Sequence, residues 1–148
     1  MKRTIKSPIG EIEYETENRI TLPRGIPGFE DVRHAVWVSD PEFDPIKWFI
    51  LEENVGEALP LLDPFLVVDR YEMSIPDDAF ETLESDTSED LALMCVAHPR
   101  ENAAPTINLR SPIIINPNKR LALQVILPDE SLPIRYDWSK NGTEVKTG

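Results

Sequence analysis

Leu91-Ala92-Leu93-Met94-Cys95-Val96-Ala97 is the stretch on which the fold turns. Seven apolar residues with no polar interruption fit a strand buried on both faces or set at the centre of a barrel. Toward the C-terminus, residues 106–109, 113–115 and 121–127 read as further strands, and in the last of them Leu121, Leu123, Val125 and Leu127 fall on one face. Toward the N-terminus, residues 34–38 and 46–51 are rich in β-branched and aromatic side chains, and 65–68 form another short run. Residues 11–15 alternate strictly, with Ile12 and Tyr14 facing inward. Residues 18–22 follow after a short turn, which predicts a hairpin between the two.

Fourteen prolines punctuate these runs. Proline cannot donate to a sheet ladder and it ends helices, so the intervals leave little room for long helices. One segment, residues 74–83, reads as helical. Pro76 sits near a first-turn position, Asp77 and Asp78 suit the positive end of the helix dipole, and Phe80 and Leu83 could dock on a sheet. Residues 84–90 form an acidic loop. About nine strands with one short helix predict a mainly β, mostly antiparallel single domain over 1–137, its sheet closed into a barrel or packed as a sandwich, and parallel βαβ winding lacks its crossover helices. The hydrophobic pattern fades after Pro133, so 138–148 is expected to be a flexible tail.

The chain has 148 residues. A domain of that length buries roughly 68–70% of its unfolded surface, enough for a core without staples. The first residues turn polar at once, and no apolar run approaches the roughly 20 residues that cross a bilayer. The single cysteine, Cys95, excludes an internal disulfide. A reducing, cytoplasmic setting away from membranes is the expectation.

The net charge is −12, and it is unevenly placed. Residues 51–100 hold 13 acidic side chains against two basic ones, Arg70 and Arg100, whereas the flanking thirds are nearly neutral. Direct binding to nucleic acid, which needs Lys and Arg against phosphates, is therefore disfavoured. The acidic middle is either a solvated face that keeps the chain soluble or a docking face for a basic partner.

Chemistry is sparse. His98 follows Cys95 by three residues, but two ligands do not make a zinc site, and on a strand that spacing puts them on opposite faces. Cys95 reads as a buried structural thiol. Asp63, Asp69 and Glu72 could meet near one loop, without any sign of a pocket. No phosphate-binding loop, dinucleotide fingerprint or nucleophile elbow occurs, and no cofactor or metal is expected. Gly25-Ile26-Pro27-Gly28-Phe29 is a glycine-bearing turn, with glycines for positive φ and Pro27 for a fixed φ.

Three strings, in order, point to a family. Leu22-Pro23-Arg24-Gly25-Ile26-Pro27-Gly28-Phe29-Glu30-Asp31, Asp63-Pro64-Phe65-Leu66-Val67-Val68 and Thr106-Ile107-Asn108-Leu109-Arg110-Ser111-Pro112-Ile113-Ile114-Ile115-Asn116-Pro117 resemble signatures of the FliW flagellar assembly factors. The likeness runs from about residue 4 to about residue 135, and the acidic 84–90 segment and the tail depart from it. The resemblance implies a bacterial cytoplasmic protein with a β-barrel-like fold that binds flagellin. On release from flagellin it binds the translational repressor CsrA and relieves repression of flagellin messenger RNA.

The candidate partner-binding residues are Phe29, Asp63, Asp69, Tyr71, Glu72, Asp77, Asp78, Glu81, Asn108, Arg110 and Asn116. Among the aromatics, Phe29, Phe43, Phe65 and Tyr71 could anchor flagellin. Phe65 is expected in the core and Tyr71 on the surface. Asn108, Arg110 and Asn116 either bond within loops or face a partner. Two alternatives remain: an enzyme with a β-barrel active site, which requires a deep polar pocket near Cys95–His98 or Asp63–Glu72, and a plain flagellin-binding chaperone.

Overall fold

The computed structural model describes residues 1–54 and 56–138. Among them lie eleven strands: β1 (Lys2–Ser7), β2 (Gly10–Glu15), β3 (Ile20–Thr21), β4 (His34–Val38), β5 (Lys47–Leu51), β6 (Ala58–Leu62), β7 (Ala92–Arg100), β8 (Ala103–Ile107), β9 (Ile113–Asn116), β10 (Leu121–Gln124) and β11 (Tyr136–Asp137). The α-helix among the described residues is α1 (Asp77–Thr82). The chain is mainly β and mostly antiparallel, as its sequence predicts.

Strand β7 organises the sheet. One edge of it pairs with β6, Leu61 opposite Val96 and Leu62 opposite Cys95. The other edge takes two partners in line: β9 along Ala92–Met94 and β8 from Ala97 onward. The remaining order runs β6-β5-β4-β3-β10-β9, so the sheet curls back onto β7 in a barrel-like ring, with β8 and β11 as an extension. The thinnest joint of the ring is β3–β10, a parallel contact with a single register pair, Leu121 and Thr21. Pro23, two residues past Thr21, has no amide hydrogen with which to continue that ladder.

The ring is filled. Phe49, Leu51 and Leu61 are fully buried in it with Leu22, Ile113 and Ala122. Strand alternation then forces other apolar side chains outward, and each outward face is covered. Ile113 and Ile115 point into the ring, while Ile114 points out and packs with Leu123 beneath Ala79 of α1 and Leu83 just after it. Val36 and Ile50 point out from β4 and β5 and pack under Ile5 of the β1–β2 hairpin. Each such side chain contributes on the order of 1.5–3 kcal/mol when taken fully from water. A further cluster, including Val67, Val68, Tyr71, Cys95, Leu109 and Leu132, fills the space between β7 and the segments that cross it.

Two expectations fail for identifiable reasons. Residues 11–15 do not form a hairpin with 18–22: β2 pairs instead with β1, from Lys2 opposite Glu15 to Ser7 opposite Gly10. In β1 only Ile5 is buried, too faint a signal to read as a strand. Residues 65–68 are not a strand, because Pro64 starts a 3-10 turn over Pro64–Leu66. The strand at this level is β6, which carries Pro60 in its middle. Pro60 lies opposite Trp48 of β5, and pairing with β7 begins only at Leu61, so the missing amide interrupts neither ladder. The helix occupies Asp77–Thr82 within the expected segment; Leu83, just past its end, docks on the sheet as expected, joined by Ala79, while Phe80 is only half-buried. The expected tail, 138–148, lies outside the described residues except for Trp138, whose backbone N–H donates to the Pro105 carbonyl at 3.3 Å.

Since α1 is short and attached through two side chains, Leu83→Ala is expected to cost about 2–5 kcal/mol in urea unfolding. A loss under about 0.5 kcal/mol, the range of ordinary surface changes, would show that α1 does not depend on this contact.

Candidate protein-binding surface

Between β8 and β9 the chain leaves β7 and returns, and the detour, residues 108–112, holds several segments together. Asn108 Oδ1 accepts the backbone N–H groups of Arg110 at 3.0 Å and Ser111 at 3.1 Å. Arg110 Nε donates to the Leu132 carbonyl at 3.0 Å, and its Nη2 donates to that of Glu130. The Leu109 N–H reaches the Pro133 carbonyl at 3.0 Å, and the Leu127 N–H reaches the Arg110 carbonyl at 2.8 Å. Gln124 Nε2 donates to the Ser111 carbonyl at 3.0 Å. Asn116 is buried; its Nδ2 donates to the Leu83 carbonyl at 2.7 Å, and its Oδ1 accepts from the Asn118 and Lys119 backbones. Asn108, Arg110 and Asn116 are thus bonded to the chain's own backbone, where burial without partners would cost about 1–3 kcal/mol per group.

Next to this detour is an apolar knuckle. Asp63 Oδ1 caps the 3-10 turn by accepting the Phe65 N–H at 3.0 Å. The turn throws Phe65 and Leu66 outward, 54% and 56% exposed, while Val67 and Val68 turn in at 2% each. The expected places of Phe65 and Tyr71 are reversed. Tyr71 is 6% exposed and its hydroxyl donates to the Leu109 carbonyl, so it is a pillar rather than a surface anchor. The Phe65 ring stands edge-on to that pillar, with centroids 6.0 Å apart. A period-two pattern cannot show this, because a 3-10 turn puts two adjacent apolar residues outside and the next two inside. Asp69 is exposed, and Glu72 pairs with Arg70. Glu72 also lines a cleft of about 390 Å³ with Met73, Leu127 and Leu132.

A second, acidic face lies on α1. Asp77, Asp78 and Glu81 are exposed. Arg24 reaches Asp78 at 3.4 Å and the Thr82 hydroxyl at 2.9 Å, which ties the glycine-bearing turn to the helix. In that turn the Phe29 N–H closes on the Ile26 carbonyl at 2.7 Å with Gly28 at φ +90°. Proline followed by a glycine of positive φ is the arrangement of a type II turn. At Gly25, φ +65°, a Cβ would lie 2.7 Å from the Glu30 carbonyl oxygen, so glycine is required on two counts. Phe29 is half-buried against the ring cluster and offers a partner only part of its ring. Phe43 is likewise half-buried, edge-on to Trp48 at 5.5 Å.

The titratable groups suggested as catalytic are placed differently. Cys95 is fully buried, and that burial pushes its thiol up to about 12. His98 is exposed. His34, Glu52 and Glu53 bring three ligand atoms within 4.8 Å of one another, the one metal-like grouping among the described residues. Its carboxylates are already engaged. Glu52 takes Arg19 at 2.8 Å and the Tyr14 hydroxyl, and Glu53 takes His34 Nδ1 at 2.7 Å and the backbone N–H groups of Arg33 and His34. A guanidinium 2.8 Å from a would-be ligand oxygen competes directly with a cation. The cluster instead latches the N-terminal hairpin to the ends of β4 and β5. No helix among the described residues is long and apolar enough to cross a membrane.

A filled barrel-like sheet, a buried thiol and exposed apolar and acidic faces characterise a mainly β protein, and His98 lies in an open polar cleft of about 420 Å³ with Arg100, Thr106, Arg135 and Asp137. Comparison with known proteins makes this class specific. The sequence model of the FliW protein family matches residues 3–138. The flagellar assembly factor FliW of Thermotoga maritima is 37% identical over 144 residues, covering 96% of this chain and 97% of the relative. That of Syntrophus aciditrophicus is 40% identical over 133 residues, covering 89% and 84%. A crystal structure of the flagellar assembly factor FliW superposes with a TM-score of 0.84 at 27% identity, over 93% of this chain and 96% of the other. The chain belongs to the FliW family of flagellar assembly factors.

The buried thiol yields a pH dependence with a definite sign. Below the ordinary thiol value of 9.0 both folded and unfolded chains keep the proton, and the native state loses nothing. Above it the unfolded chain releases the proton first, so stability falls as pH rises toward about 12. The slope approaches about 1.4 kcal/mol per pH unit from this group, and Tyr71, also pushed up by burial, adds to it at higher pH. Urea titrations across this range are expected to show a shallower alkaline decline for Cys95→Ala. Equal declines would mean that Cys95 ionises freely in the native state.

Proposed function

We propose that this chain is a cytoplasmic partner-switching binder: it holds flagellin before export and, once released, binds and antagonises a CsrA-type translational repressor. The observation that carries this reading is the presence of two exposed surfaces of different chemistry, one braced by Tyr71 and the other tied by Arg24 to the glycine-bearing turn. The Phe65–Leu66 knuckle is apolar, partly aromatic, and braced by Tyr71 and the 108–112 detour. Exposed apolar pairs on rigid supports suit a protein partner, because little side-chain freedom is lost on docking. Asp69 and Glu72 give it a polar surround. The α1 face, with Asp77, Asp78 and Glu81, suits the basic surface of an RNA-binding repressor, and its negative charge would repel phosphates docked nearby. A coupling of about 1–3 kcal/mol, or roughly 5–150-fold in RNA affinity, suffices for regulation.

The binding reading is favoured over catalysis by the family's assembly-factor character and by the filled ring. Direct nucleic-acid binding is disfavoured by the net charge of −12.

Mixing the chain with purified flagellin and CsrA from the same source, followed by size-exclusion chromatography, tests the proposal. Co-elution with each, and displacement of CsrA by flagellin, is expected. Co-elution with flagellin alone would reduce the protein to a chaperone, and co-elution with neither would overturn the reading. The variant carrying Asp77→Lys and Glu81→Lys is expected to lose CsrA antagonism most at low salt, since exposed charge is screened over roughly 10 Å at 0.1 M. Unchanged antagonism would remove the electrostatic part and leave steric exclusion.

A further inference from the structure

Beyond β10 the chain continues as an extended segment with one open edge. The Val125 N–H donates to the Pro112 carbonyl at 3.1 Å and the Leu127 N–H to that of Arg110 at 2.8 Å, so both point toward β9 and the detour that precedes it. Strand alternation therefore turns the backbone groups of Gln124 and Ile126 to the opposite edge. There β3 would have to lie beside them, but its pairing stops at Thr21, and Pro23 has no amide to offer. The backbone N–H and C=O of Ile126 have no backbone partner among the described residues. Its side chain is 68% exposed, the highest value among the large apolar residues described.

The open edge runs along a groove of about 530 Å³, with Gly25, Pro27 and Glu30 on one wall and Pro76 and Asp78 on the other. Asp77 lies between the last two. Neither Glu30 nor Asp77 forms an ion pair with a described residue, and Asp78 shares Arg24 with Thr82. Exposed apolar strand edges are normally guarded by a lysine or a covering segment, because unpaired N–H and C=O groups template another strand. No lysine and no covering segment among the described residues guards this edge; Arg24 lines the groove but is engaged by Asp78 and Thr82, so the charges left around it, Glu30 and Asp77, are acidic.

We propose that the Gln124–Ile126 edge is a strand-addition site: an extended segment of a partner protein, apolar where it meets Ile126 and basic where it passes Glu30 and Asp77, pairs with the backbone here. Main-chain hydrogen bonds supply affinity in this mode, and the flanking groups supply selectivity. The inference deepens the partner-switching reading and rests on it.

Amide hydrogen exchange on the full chain, alone and saturated with purified flagellin or separately with CsrA, tests it. The Gln124 and Ile126 amides, fast in the free protein, are expected to slow at least about tenfold with one of the two partners. Ile126→Pro deletes a donor that the fold does not use, and Ile126→Lys keeps the donor but adds a charge alien to an acidic groove's basic ligand. Each is expected to keep the melting temperature within about 2 °C and to weaken that complex at least about tenfold. Complexes that form with both amides still fast overturn strand addition and leave partner binding standing. No complex with either protein overturns both. Protection that appears on concentrating the chain alone assigns the edge to a second copy and also overturns the proposal.

Discussion

Everything in this fold depends on β7 being paired along both edges. One edge holds β6; the other holds β9 and β8 in succession, with residues 108–112 turned out between them. Without the β9 contact the sheet would be an open ribbon with its apolar inner face exposed. The detour makes the arrangement possible because its backbone groups are bonded to Tyr71, Gln124, Leu127 and Pro133 rather than left to water. A buried loop without such partners would be costly, so the polar residues in it serve closure of the ring.

The same closure accounts for the surfaces. A ring whose strands bury one face still has outward apolar side chains, and the chain supplies covers: the N-terminal hairpin over Val36 and Ile50, and α1 over Ile114 and Leu123. The crossing segment after β6 covers the ring with Val67, Val68 and Tyr71. Phe65 and Leu66 are then left outside, supported from below. Adjacent exposed apolar residues braced from below are what the proposed partner contact requires.

The sequence made the class of fold readable and obscured the surface. Residues 34–38 and 113–115 announce strands because β-branched and aromatic residues crowd them, and Gly25 and Gly28 mark a turn that the backbone indeed needs. β1 was illegible because one buried residue, Ile5, carries it, and β6 because Pro60 masks a strand that tolerates proline where no ladder bond is due. Asn108, Arg110 and Asn116 fit a polar surface and loop bonding equally well on paper; only their partners decide. The reversal of Phe65 and Tyr71 has the same root. Identity and hydrophobicity say that an aromatic wants burial, but which one obtains it is set by a 3-10 turn and one carbonyl, that of Leu109.

The central claim is that core duty falls to Val67, Val68 and Tyr71 so that Phe65 and Leu66 are free for a partner. Calorimetric titration of flagellin into the chain and into its Phe65→Ser, Leu66→Ser variant tests this directly. The account predicts a dissociation constant raised at least about tenfold, with the unfolding midpoint of the variant unchanged. Undiminished affinity, or a variant that unfolds before it can bind, would contradict it.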